Sequence, residues 1–225
     1  MSQGLVSNRV FCLLSGASGI AGVVLLVLSF SINPGLPSSA TAAEMIEFAR
    51  AHFAGELWGA WLQAVGPVFI VLFAFALVKL AGATQSLAGW MTMFGASTLM
   101  TVNLIEIMLY ISGMFADPVF MPVISIRLVN AVQHLYFIVA APALFCPLGI
   151  VLLGSRILPK IFGYCALVIA FGFAVAGVAF MLTLRLPDLV AAAGAVQPIW
   201  WLAAAVTLMA TGGKRSMAVR DLAID

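Results

Sequence analysis

Two polar side chains interrupt an otherwise apolar stretch of sequence at positions 103 to 110, which reads NLIEIMLY. They are Asn103 and Glu106, three residues apart and so on the same face of a helix. A carboxylate in apolar surroundings is costly unless it is paired or hydrogen-bonded. A functional carboxylate at this position would relay a proton or an ion, anchor a ligand, or act as an acid or base. The structural alternative is a Glu–His or Glu–Arg pair that ties two helices together.

The whole chain is too apolar for a water-soluble domain. Of its 225 residues, 64% are hydrophobic and 8% are charged, and the mean hydropathy is +1.18. A typical soluble domain carries about 25% charged residues. The net charge of +2 is small and spread along the chain, which argues against a nucleic-acid-binding protein. The composition therefore predicts an all-α, polytopic membrane protein that has the lipid bilayer as its surroundings.

Six apolar runs are long enough to cross a bilayer, which takes about 20 residues in a helix. We expect them at about 10–30, 57–78, 88–112, 128–153, 161–184 and 190–212, with the last interrupted at Pro198. The sequence contains no convincing internal repeat and no soluble domain between the runs. It predicts one domain, 1–225, of six transmembrane helices.

Basic and aromatic residues predict the orientation of these helices. Cytoplasmic segments retain Lys and Arg, and seven such residues lie on the side of the two termini against three on the other side. Tryptophan prefers the headgroup level, and Trp58, Trp61, Trp200 and Trp201 are expected at the outer interface. The sequence thus predicts a multi-pass protein of the bacterial inner (plasma) membrane, with both termini in the cytoplasm.

The third and fourth spans carry polar residues that we expect at one depth. Glu106 lies about six residues, or roughly 9 Å, below the outer boundary of the third span. The fourth span returns from that boundary with Arg127, Asn130 and His134 at i, i+3 and i+7, which is one stripe of a helix. Gln133 lies beside His134. The short loop between the two spans makes them neighbours.

The second span contributes polar residues at a comparable depth. Glu56 marks its outer end, and Gln63 lies two turns further in. Polar groups of three consecutive spans are therefore expected to meet in a pocket in the outer half of the bilayer. The predicted ligand-binding residues are Glu56, Gln63, Asn103, Glu106, Arg127, Asn130 and His134.

A metal site is a weaker alternative at the same place. His52 and Glu56 form H-x-x-x-E, one helical turn apart, and Glu106 and His134 would complete two imidazoles and two carboxylates. H-x-x-x-E is common by chance, and His52 is expected at the surface. No cofactor is predicted.

Three local patterns bear on the helices themselves. Thr41 and Glu44 form a T-x-x-E capping box, which predicts a short helix on the outer surface between the first two spans, or an outward extension of the second. Prolines within the spans each free a backbone carbonyl about four residues earlier. They are Pro67, Pro142, Pro147 and Pro198. Small residues of the first span predict a helix-packing face at Gly16, Gly19 and Gly22.

Several features together resemble a known group of proteins. Arg9 directly precedes a Gly-rich first span, a long outer loop contains the turn NPGLPSS, and the segment RILPKIFGY leads into the fifth span. In these respects nearly the whole chain resembles small six-helix bacterial membrane proteins that are grouped as a domain of unknown function. The resemblance implies the six-helix architecture, and it implies no particular activity or site residues.

Three functions are compatible with these patterns. The first is binding or transport of a small amphipathic or lipid-like ligand in the polar pocket. The second is an accessory subunit of a larger membrane complex, with partner membrane subunits covering the lipid-facing surface. The third is a membrane-embedded, lipid-modifying enzyme with Glu106 as acid or base and His134 as its partner. We rank the enzyme third because two carboxylates and one buried histidine are a small catalytic inventory.

Overall fold

The structure is a computed structural model that describes residues 2–33, 41–115, 128–129, 131–182 and 187–221. Within these ranges the chain forms helices joined by short turns, and no strand occurs there. The helices are α1 (Ser2–Ile32), α2 (Ala42–Ala51), α3 (Phe53–Leu80), α4 (Leu87–Phe115), α5 (Ala131–Gly154), α6 (Lys160–Met181) and α7 (Pro187–Asp221). The predicted all-α class is confirmed.

Six of the helices in the described ranges are long and apolar enough to cross a membrane. These stretches are Arg9–Ile32, Phe53–Leu80, Leu87–Ser112, Ala131–Gly154, Lys160–Met181 and Gly194–Thr211. They agree with the predicted spans to within a few residues, although the predicted end at 184 lies outside the described residues. The architecture is that of a multi-pass membrane protein.

The short helix α2 begins at the predicted capping box. The backbone N–H of Glu44 donates to Thr41 Oγ1 at 3.4 Å, and the backbone N–H of Thr41 donates to Glu44 Oε2 at 2.7 Å. These two bonds satisfy donors that the first turn of a helix leaves without partners. α2 ends at Ala51, and one residue, His52, separates it from α3. It is therefore a separate helix that leads directly into the second span.

The six membrane helices form a ring in chain order. α1 packs against α3, α3 against α4, α4 against α5, α5 against α6 and α6 against α7, and α7 returns to pack against α1. Two short turns lie at one end of the ring, at residues 81–86 and 155–159, and α2 lies at the other end. We call the two halves of the bundle the turn half and the α2 half.

Glycines bring the helices into close contact in the turn half and near the middle of the bundle. A Cβ added at Gly16 would lie 2.3 Å from Cγ of Met209 on α7, and one added at Gly22 would lie 2.9 Å from the carbonyl oxygen of Gly66 on α3. Between α4 and α5, a Cβ on Gly95 would lie 2.2 Å from the carbonyl oxygen of Ala143. Close approach of this kind is how membrane helices gain packing contacts, and the predicted glycine face of the first span is used in this way.

Aromatic side chains fill the turn half. Trp201 packs against Phe145 at 5.3 Å and against Phe73 at 5.9 Å between ring centroids, and all three are buried. Trp200 donates its indole N–H to the carbonyl oxygen of Phe162, near the start of α6. The interfacial position predicted for Trp200 and Trp201 is therefore wrong. α7 begins at Pro187, more than three turns earlier, so these residues lie within the helix and face the core.

The predicted interruption of the last span at Pro198 is also wrong. α7 continues through this residue. A proline removes one intrahelical hydrogen bond, and transmembrane helices tolerate this where neighbouring groups surround the freed carbonyl. Pro198 and Gly194, which is four residues earlier, both line a cavity inside the ring.

Candidate functional site

A cavity of about 370 Å³ lies inside the ring of helices. Each of the six membrane helices contributes to its wall. The residues that line it include Val23, Leu26, Val27, Phe30, Gln63, Pro67, Ile70, Leu99, Asn103, Glu106, Gln133, Tyr136, Phe137, Phe173, Gly194, Gln197, Pro198 and Trp201. Most are apolar, and the polar ones come from α3, α4, α5 and α7.

Glu106 is held in this wall by an amide from the next helix. Its Oε1 accepts a hydrogen bond from Gln133 Nε2 at 3.0 Å. One helical turn further along α5, the Tyr136 hydroxyl donates to Gln197 Oε1 of α7. These two bonds join α4 to α5 and α5 to α7 in the cavity wall, so each of the four side chains has a hydrogen-bond partner. We call these four side chains the polar cluster.

A proline explains the position of Asn103. Pro67 has no backbone N–H, so the carbonyl of Gln63, four residues earlier, loses its helical partner. Asn103 Nδ2 on α4 donates to this carbonyl at 3.0 Å. A polar side chain from a neighbouring helix thus satisfies the group that the proline leaves free. The bond fixes the level at which α3 and α4 meet.

A local irregularity in α5 also borders the cavity. Residues Tyr136–Ala140 form one π-helical turn, in which the N–H of Ala141 donates to the carbonyl of Tyr136. Pro142 follows directly and cannot donate to the carbonyl four residues before it. Single π turns within helices occur frequently at functional sites. Here the turn follows Gln133 on the cavity side of α5, and Tyr136 and Phe137 within it line the cavity.

Three of the predicted site residues, Gln63, Asn103 and Glu106, line this one cavity. Arg127 and Asn130 lie outside the described residues. The other two predicted residues, Glu56 and His134, are described and are not among those that line the cavity.

His134 differs from the prediction because of the rotation of α5. Its ring packs edge-on against Phe180 of α6, with 3.8 Å between ring centroids. The preceding residue, Gln133, faces the cavity instead, since consecutive residues are about 100° apart around a helix. The sequence pattern assigned His134 to the cavity face, and the neighbouring Gln133 occupies that face instead.

Glu56 is buried apart from the cavity. It is 1% exposed, and neither of its carboxylate oxygens has a hydrogen-bond partner among the described residues. It lies seven residues before Gln63, or roughly 10 Å along α3. Burial of a carboxylate without partners is uncommon. Glu56 therefore provides a comparison for Glu106, which has the same functional group and does contact the cavity.

The weaker metal alternative does not form. The four candidate ligands include His52, which is exposed and stacks on Phe48 with 4.3 Å between ring centroids, and His134, which packs on Phe180. In the part of the chain that the structure describes, no group of three His, Cys, Asp or Glu side chains is placed to hold a metal ion.

The sequence pattern did not assign three polar residues to the site: Gln133, Tyr136 and Gln197. Gln133 and Tyr136 are spaced i, i+3, and Phe137 at i+4 completes the cavity face of α5. Gln197 directly precedes a proline in a membrane span, where one helical hydrogen bond is missing, so its position was a usable signal. The apolar wall from α1 carries no signal of this kind.

The cavity reaches the outer surface of the bundle beside α1. Val27 and Phe30 line it, yet they are 50% and 68% exposed. Both belong to the span Arg9–Ile32, where the surroundings are lipid. At the other end, Trp201 and Phe173 form an apolar floor. The indole N–H of Trp201 is buried without a hydrogen-bond partner among the described residues.

Comparison of this chain with protein-family models, with curated proteins and with solved structures gives no match. The resemblance to six-helix proteins of a domain of unknown function therefore remains a prediction. Inferences about function rest on the cavity and its lining.

Proposed function

We propose that this integral membrane protein binds, and in its cellular role transports or presents, a small amphipathic or lipid-like molecule in the cavity between its helices. The observation that carries the proposal is the composition of the cavity wall. Glu106, Gln133, Tyr136 and Gln197 form a polar cluster, and apolar side chains make up most of the remaining wall. Such a wall suits a molecule with a polar head and an apolar body.

The size of the cavity supports a small ligand. Ligand-binding cavities commonly have volumes of about 300 to 1,000 Å³, and this one, at about 370 Å³, lies near the lower limit. It suits a single-chain amphiphile or a compact ring system rather than a two-chain phospholipid.

The opening beside α1 supports access from the membrane. Val27 and Phe30 lie in a membrane span and belong both to the cavity wall and to the bundle surface. A molecule dissolved in the bilayer reaches the polar cluster through this side without crossing an aqueous phase. In the orientation that the basic residues predict, with both termini in the cytoplasm of a bacterial cell, the cavity opens to the outer leaflet of the inner membrane.

The two alternative functions have less support. A lipid-modifying enzyme that pairs Glu106 with His134 needs both groups at the substrate, and His134 is not among the residues that line the cavity. An accessory subunit of a larger membrane complex does not require a cavity that opens beside Val27 and Phe30.

The matched substitutions Glu106→Gln and Glu56→Gln test the proposal. Each replaces one carboxylate by an amide of the same shape, and only Glu106 lines the cavity. After mild purification, small molecules that remain bound are identified and quantified by native mass spectrometry, and helicity is compared by circular dichroism. We expect wild type and Glu56→Gln to retain the same compound and Glu106→Gln to lose it with helicity unchanged. Equal retention by all three proteins, or no bound compound in wild type, would refute the proposal.

A further inference from the structure

We infer that the ligand is an amphipathic cation, with an ammonium, amine or guanidinium head joined to an apolar body, and that Glu106 is its counter-ion. This inference rests on the proposed function and adds the chemical class of the ligand. It depends on the charges, the hydrogen-bond acceptors and the aromatic rings in the cavity wall.

The charges in the wall favour a cation. Among the described residues that line the cavity, Glu106 and Tyr136 are the ionisable ones, and none is Lys, Arg or His. An anionic head would meet a carboxylate with no basic side chain of the described wall to balance it. A neutral head would leave the charge of an ionised Glu106 uncompensated in a membrane, which is costly. A cationic head removes this cost, because the two charges neutralise each other.

The hydrogen bonds already formed leave oxygen atoms for the head. Gln133 uses an amide N–H on Glu106, and Asn103 uses one on the Gln63 carbonyl, so the side-chain oxygens of both amides remain acceptors. Glu106 itself has room for further donors, since a carboxylate accepts about four hydrogen bonds. The carbonyl of Gly194 has no helical donor because residue 198 is proline. A head that donates several N–H groups finds acceptors on three helices.

Aromatic rings provide the second attraction for a cation. Tyr136, Phe137, Phe173 and Trp201 line the cavity, and the ring centroids of Tyr136 and Phe137 lie 5.6 Å and 5.5 Å from that of Phe173. A cation within about 6 Å of such a ring is attracted by the negative face of its π-system. The same rings give apolar contact to the body of the ligand. The polar cluster and the aromatic wall therefore select the same chemical class.

Three probes of equal chain length test the charge of the ligand. Octylammonium, octyl sulfate and octanol carry a positive, a negative and no charge on the same apolar chain. Binding of each probe to the full-length protein in lipid nanodiscs is measured by isothermal titration calorimetry. The heat of titration into empty nanodiscs is subtracted. The proteins are wild type, Glu106→Gln, Glu56→Gln and Gly194→Trp. The variant Gly194→Trp is designed to fill the cavity. Gly194 lines the cavity, and a Cβ at this position would have no neighbouring atom within 4 Å.

We expect wild type and Glu56→Gln to bind octylammonium equally. Binding to Glu106→Gln should be weaker by about tenfold or more, because the charge pair is lost. Gly194→Trp should bind none of the probes, and octyl sulfate should bind none of the proteins. If octyl sulfate or octanol binds at least as well as the cation, and Gly194→Trp blocks that binding, the ligand is not a cation. In that case the inference fails and the proposed function stands. The proposed function fails too if binding of every probe is absent from wild type or unaffected by Gly194→Trp.

Discussion

The two halves of the bundle pack by different means. In the turn half, glycines allow backbones to touch, and buried aromatic rings such as Phe73 and Phe145 fill the interior. Towards the α2 half, prolines and amide side chains line a cavity of about 370 Å³. Membrane helices gain little from hydrophobic burial against each other, so their association depends on close contact and on hydrogen bonds. The turn half relies on close contact, and around the cavity the hydrogen bonds of amide side chains are added to close contacts such as that of Gly177 with Ile138.

The comparison shows how prolines contribute to a site in a membrane. Pro67 and Pro198 both line the cavity, and each leaves a carbonyl without its helical donor. In α3 this carbonyl is satisfied by Asn103 from the adjacent helix. Polar side chains are therefore needed near the prolines for structural reasons, and the same side chains give the cavity its polarity.

Disrupting the close packing should have the largest effect. We expect Gly95→Leu to prevent folding or to destabilise the protein by more than about 3 kcal/mol, because its Cβ would lie 2.2 Å from the carbonyl oxygen of Ala143. Gly172→Leu is the control, since a Cβ at that position has no neighbour within 4 Å. The yield of monodisperse protein and its thermal unfolding in detergent are measured. Equal behaviour of the two variants would show that backbone contact does not hold this half together.

Removing the inter-helix bond at Pro67 should have a moderate effect. Asn103→Ala leaves the Gln63 carbonyl without a partner, and we expect a loss of about 0.6 to 1.7 kcal/mol in the free energy of unfolding. Pro67→Ala restores a backbone N–H for that carbonyl. Asn103→Ala should therefore cost less in the Pro67→Ala background than alone. A double-mutant cycle of unfolding in mixed micelles measures this coupling, and strictly additive effects would rule out the proposed role of Asn103.

Acidification should loosen α2, whose first turn is capped by Thr41 and Glu44. The hydrogen bonds from Thr41 lower the pKa of the Glu44 carboxyl from its ordinary value of 4.5. A carboxylate with a lowered pKa in the folded state stabilises that state above the ordinary value, and the contribution is lost as the pH falls through the lowered value. We expect faster hydrogen exchange in Ala42–Ala51 below about pH 4.5, after correction for intrinsic rates. In the variant Glu44→Gln, the exchange rate of α2, after the same correction, should not depend on pH. If the pH dependence persists in that variant, a group other than Glu44 causes it.

Much of the fold was predictable because hydrophobic length determines where helices cross a membrane. The capping box at Thr41 and Glu44 and the glycine face of α1 were also predictable from local spacing. The convergence of Gln63 and Glu106 followed from their depths along adjacent helices. These predictions depend on distance along a helix, which the sequence determines directly.

Rotation about the helix axes was the part that the sequence did not determine. Gln133 and His134 are adjacent and both polar, and only contacts with other helices decide that Gln133 faces the cavity and His134 faces Phe180. Position along the axis was the error for Trp200 and Trp201. A preference for the headgroup level placed them at the interface, and they pack in the core because α7 begins more than three turns earlier. Gln197 reaches the cluster only because α7 continues through the proline that follows it.

A density map of the protein in lipid nanodiscs tests the central claim most directly. For wild type we predict non-protein density inside the ring of helices, in contact with Glu106 and bordered by Gln197 and Trp201, and we predict that this density is absent from Glu106→Gln. A map in which side chains fill the space between Gln63, Glu106 and Tyr136, or in which ordered non-protein density occurs only on the outer surface of the helices, would contradict the account.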